Sequence, residues 1–91
     1  MGNAIENRAR VELEPLGPPA PGPAEGWQVY QVRVVAAEDV AGYPNLLAAD
    51  LPRRLEALVP TTVAHRLGGR SRWHVEASLV GPGRMRVEAA G

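Results

Sequence analysis

The stretch from 61 to 90, TTVAHRL-GG-RSRWHVEASLV-GPG-RMRVEAA, decides how the rest of the chain is read. Gly68 with Gly69, and Gly81 with Gly83, punctuate three runs of alternating apolar and polar side chains. Alternation sends successive side chains to opposite faces of a strand, and paired glycines supply the backbone freedom of a hairpin turn. The expected local structure is a three-strand antiparallel meander. With Gly68 and Gly69 as a two-residue turn, Leu67 opposes Arg70, Ala64 faces Trp73 and Thr62 faces Val75, while Val63 faces His74 on the other surface. A three-residue turn over Gly81, Pro82 and Gly83 sets Leu79 against Met85 and Ala77 against Val87. One face then gathers Trp73, Val75, Ala77, Leu79, Met85, Val87 and Ala89 as a core. The other carries His74, Glu76, Ser78, Val80, Arg84, Arg86 and Glu88. There Glu76 opposes Glu88, an unfavourable pair unless Arg86 lies diagonally between them.

Working outward, residues 1–7 read as a frayed terminus and 8–91 as one small domain. From Arg8 to Leu16 the chain alternates again, with Ala9, Val11 and Leu13 inward and Arg8, Arg10, Glu12 and Glu14 outward. Residues 15–26 hold five prolines, which exclude regular hydrogen bonding and predict an extended loop. Residues 27–37, WQVYQVRVVAA, are rich in β-branched and aromatic side chains on both faces, as in a central strand covered on both sides. Asn45 and Asp50 are candidate helix caps, the first for a turn over 46–49, the second for a helix with Pro52 in its first turn. The stripe Leu51, Leu55, Leu58 and Val59 has helical spacing, and Pro60 ends it. The order is thus ββαβββ: an α+β fold with an antiparallel sheet of four to five strands and one amphipathic helix packed on one face.

Composition narrows the class. No apolar run approaches the roughly 20 residues that span a bilayer, and the start lacks an apolar leader core. Gly2 would suit myristoylation, but Glu6 stands where Ser or Thr is wanted. A soluble cytoplasmic protein is the expectation. Cysteine is absent, which removes disulfides, thiolate metal sites and a thiol nucleophile. All ten basic side chains are arginine, a usage that genomic base composition explains as well as selection for phosphate recognition does. The net charge is zero but divided: residues 1–50 carry three arginines against seven acids, residues 51–91 seven arginines against three.

Three functional constellations follow. His65, His74 and Glu76 would share one face of the first hairpin, and two imidazoles with a carboxylate suit zinc or iron in a metal-dependent enzyme. Arg66, Arg70, Arg72, Arg84 and Arg86 would serve nucleic-acid binding, although hairpin tips at opposite strand ends split them into two groups. Finally, one short helix leaves a sheet face open, on which Val29, Val35, Val63, Leu67 and Val80 form an apolar band, with Val35, Val63, Leu67 and Val80 at its centre ringed by Arg72, Arg84 and Arg86. That band makes a non-catalytic protein-interaction or self-assembly module the leading expectation, through a homodimer or a protein partner, with no cofactor. The serines lie in no nucleophile elbow, and no glycine-rich phosphate loop precedes a helix.

Overall fold

The computed structural model describes residues 6–48 and 51–90. Its elements run β1 (Ala9–Pro15), β2 (Ala20–Pro21), β3 (Trp27–Asp39), β4 (Arg53–Pro60), α1 (Thr61–Leu67), β5 (Trp73–Gly81) and β6 (Arg84–Ala90). The α+β class holds, but the sheet is not open. Strands β1, β5, β6, β4 and β3 lie side by side in that order, and β3 pairs back onto β1 to close a five-strand barrel. The two-residue β2 adds to the outside of β3 within the proline-rich loop. Every pairing is antiparallel except β4 with β6, which run parallel through Glu56, Ala57 and Leu58 against Arg84, Met85 and Arg86.

The barrel interior is filled by the strictly alternating positions. Ala9, Val11 and Leu13 of β1, Tyr30, Val32 and Val34 of β3, Leu55, Ala57 and Val59 of β4, Trp73, Val75 and Ala77 of β5, and Met85 and Val87 of β6 are all buried. Bulges let the sheet curl, since an extra residue bends its strand and increases the local twist. One occurs in β3 opposite the Glu12–Leu13 step, where Val35 has no partner on β1. Leu79 pairs with Met85 and Ala77 with Val87, as the alternation requires. Leu79 is only partly buried, however, and Ala89 is exposed. Gly81 pairs with Arg84, so the β5–β6 loop is two residues, not three, and Val80 is the bulged residue. A second bulge at Glu88 brings Ala89 opposite Glu76 and removes the like-charge opposition. Both carboxylates then meet Arg8, Glu76 at 3.3 Å and Glu88 at 3.9 Å, while Arg86 adds a contact to Glu88 at 3.0 Å.

The chief correction concerns residues 53–67. The stretch expected as a helix is β4, and the run expected as the first meander strand is α1. Leu55, Ala57 and Val59 also fit a period of two, with Arg54, Glu56 and Leu58 facing out, and barrel closure overrides the helix propensity of Leu, Glu, Arg and Ala. Residues 61–67 are helical because Pro60 stops β4 and only Ala64 and Leu67, three apart, need to face inward. Gly68 and Gly69 therefore terminate a helix and do not turn a hairpin. Gly68 (φ −48°, ψ 136°) and Gly69 (φ +79°) form a tight turn directly after the helix, closed by the Arg70 N–H on the Leu67 carbonyl at 3.2 Å. The helix lies across one end of the barrel, not on a sheet face.

At the other end the connector from β3 to β4 supplies a plug, fully buried Leu47. Asn45 does not cap a helix. Its Oδ1 accepts from the Leu47 N–H at 3.1 Å and its Nδ2 donates to the Ala37 carbonyl at 3.3 Å, an Asx turn that aims Leu47 inward. Asp50, the other expected cap, lies outside the described residues, as does most of the terminus expected to fray. No helix among the described residues is long and apolar enough to cross a membrane.

Candidate functional site

Closure sorts the outer surface by register. On the β3–β4–β6 side Trp27 pairs with Pro60, Val29 with Leu58, Gln31 with Glu56, and Arg33 with Arg54. Leu58 is in turn beside Arg86 and Glu56 beside Arg84. Trp27, Val29, Leu58 and Pro60 are all partly exposed, so they form an apolar strip two strands wide at the helix-capped end. Arg86 lies directly beside Leu58, the next row holds Gln31, Glu56 and Arg84, and Arg33 with Arg54 forms the row beyond. Val29 was expected on the open face, and Trp27 on the same side of a strand expected to be covered on both. Leu58 and Pro60 were not expected there, because their segment was read as a helix.

The residues expected to form an apolar band do not come together. Leu67 is buried under the barrel end, Val63 packs partly against the core, and both belong to α1. Val35 sits in the β3 bulge and Val80 in the bulge before the β5–β6 turn, each half-buried. Of the ring residues, Arg86 lies beside the observed strip and Arg84 one row along, whereas Arg72, just before β5, faces Glu12 and Glu14 of β1.

The arginines set the electrostatics. Arg84 Nη2 reaches Glu56 at 2.7 Å, Arg86 reaches Glu88 at 3.0 Å, and Arg33 reaches Glu14 at 3.3 Å. Arg72 engages Glu12, and Glu14 at 3.9 Å. Three of the five residues expected to contact nucleic acid, Arg72, Arg84 and Arg86, thus already face carboxylates. The others, Arg66 and Arg70, are exposed on α1 and just after it, with no ion pair among the described residues. Exposed pairs of this kind contribute little stability, but they cancel the field that would attract a phosphate backbone.

The metal triad is likewise dispersed. His65 is exposed on α1, His74 lies on β5 opposite Glu12 of β1, and Glu76 is held by Arg8. Among the described residues no group of three histidines or carboxylates is placed to hold an ion.

A second feature was not foreseen. Between the proline-rich loop and the turn after α1 lies an open cleft of about 650 Å³, lined by Pro15, Leu16, Pro18, Pro19, Arg70 and Ser71 among others, with Tyr30 and Trp73 also in its wall. The two rings meet edge to face, centroids 4.7 Å apart at 81°. Trp73 is 2% exposed, and its indole N–H has no acceptor among the described residues. An unanswered buried donor costs about 1–3 kcal/mol. Glu14, also in the wall, is occupied by Arg33 and Arg72.

In barrel order the five strands run first, second, third, fifth, fourth, with the helix between the third and fourth, which is the connectivity of an oligonucleotide/oligosaccharide-binding (OB) barrel. Comparison of the chain with protein-family models, curated proteins and solved structures returned no match. Because one fold hosts unrelated functions, the reading of this chain rests on its own surface residues.

Proposed function

We propose that this protein is a non-catalytic binding module that receives a protein partner on the outer face of β3 and β4. The observation that carries the reading is the strip Trp27, Val29, Leu58 and Pro60, apolar and solvent-reaching on strands whose other faces are already committed to the core. In a chain this small such side chains are not needed to complete the interior. A tryptophan flanked by aliphatic side chains and arginines has the composition of an interface centre. Arg86 beside the strip, with Arg84 one row and Arg33 and Arg54 two rows further along the same face, favours a partner whose apolar contact is flanked by carboxylates.

Nucleic acid is the second reading, favoured by the position of Trp27 and the arginines on the second and third barrel strands, the ligand-binding face of OB barrels. Against it stand the glutamate partners of Arg33, Arg84 and Arg86.

A displayed random-peptide library, selected on the wild type and counter-selected on a Trp27→Ser/Leu58→Ser variant, separates the two. Enrichment of apolar peptides flanked by Asp or Glu, lost on that variant, is the expected result. No enrichment, or enrichment the variant retains, overturns the proposal. Single-stranded oligonucleotide binding that falls steeply with salt and requires Trp27 would move the assignment to nucleic acid.

A further inference from the structure

The cleft beside α1 involves none of the strip residues, and its lining is chemically specific. Its wall is apolar where Pro18, Pro19, Tyr30 and Trp73 meet it. Arg70 carries no ion pair among the described residues, whereas the one carboxylate in the lining, Glu14, is neutralised by two arginines. The wall thus offers the Arg70 cation and the Ser71 hydroxyl beside a surface suited to a ring. A volume of about 650 Å³ lies within the range of small-molecule sites.

We propose that this cleft binds a small carboxylate with an aromatic or alicyclic body. The ring lies against the Tyr30–Trp73 wall and the prolines, and the carboxylate is held by Arg70. The Trp73 indole nitrogen is itself buried, so it serves as a reporter beside the ring and not as a donor to the ligand. Arginine suits this task because its planar fork matches a carboxylate and its charge is permanent. A cationic ligand would place its charge beside Arg70, and a neutral amide would forgo the charge-assisted bond.

The test is a titration of the intact protein with benzoate, followed by amide and indole N–H resonances in NMR. Tryptophan occurs only at positions 27 and 73, so two indole signals report. The expected result is a saturable shift of the Trp73 indole N–H together with the Arg70 amide, while the Trp27 indole stays still. Arg70→Gln, at an exposed site where folding is not at stake, should weaken benzoate binding about tenfold or more, as loss of a charge-assisted hydrogen bond implies. Benzamide should bind correspondingly less well. Absence of a saturable shift, an unchanged affinity in Arg70→Gln, or equal binding of benzamide overturns the proposal.

Discussion

Asn7 shows how a single side chain can replace a strand. Pairing of β1 with β5 ends at Ala9 opposite Ala77, which leaves the main chain of Leu79 facing position 7 one register step further on. There the Asn7 amide supplies both halves of a ladder rung: Oδ1 accepts from the Leu79 N–H at 2.7 Å, and Nδ2 donates to the Leu79 carbonyl at 3.0 Å. With Asn7 only 5% exposed, its removal strands two main-chain groups away from water. Asn7→Ala should therefore lower the unfolding free energy by about 1–3 kcal/mol, read from urea denaturation at unchanged m-value. A change within about 0.5 kcal/mol, the range of ordinary surface substitutions, would contradict this account of the rung. Asn7 was read as part of a frayed terminus, since nothing local in MGNAIEN marks an amide whose partner lies 72 residues away.

At the scale of the element, α1 separates the barrel from an open meander. Leu67 would be exposed beside a hairpin turn, but at the end of α1 it is 3% exposed against the core. Leu67→Ala should cost about 2–5 kcal/mol, and Gly69→Ala a further 1–2 or so because an alanine is strained at φ +79°. Thermal or urea melts of both variants decide the matter, for an exposed leucine would give a near-neutral change. The same region marks where sequence reading runs out. β1, β3 and the β5–β6 hairpin were legible because their alternation is strict, and in the hairpin the pairing is local as well; even Leu79 with Met85 was placed correctly. Residues 53–67 were not, because eight residues with Leu55, Leu58 and Val59 fit both periods. The contact that decides between them, parallel pairing of β4 with β6, spans only three residue pairs and joins segments 28 positions apart. An Arg- and Leu-rich segment read alone favours a helix; the barrel makes it a strand. The candidate site inherited this error, losing Leu58 and Pro60 and dispersing the band built around Leu67.

For the whole molecule, closure changes what self-association would require. The chain has a radius of gyration of 12.1 Å, close to the roughly 12 Å of a compact chain of this length, so the core is complete without a second copy covering a sheet face. The apolar strip could still pair with itself across a two-fold axis, but an isologous contact sets each patch against its own copy. Arg33, Arg54, Arg84 and Arg86 of one molecule would then approach the same four of the other. Glu56 is the one acid within that patch, and Glu14 and Glu88 are engaged from neighbouring strands. Like charges brought together at a desolvated rim oppose docking, and the strip's four side chains are too few to offset them and the loss of rotational and translational freedom. Sedimentation equilibrium from micromolar to near-millimolar protein should therefore fit a monomer throughout, at low salt above all, where repulsion between the arginine rims is least screened. A mass rising toward the dimer, and returned to the monomer by Leu58→Glu, would show that the strip pairs with itself and that the arginine border does not prevent it. With an acidic-flanked peptide the dependence reverses: attraction replaces repulsion, affinity falls as salt rises, and Arg54→Glu weakens the complex by reversing the charge of an arginine on that face that has no carboxylate partner among the described residues.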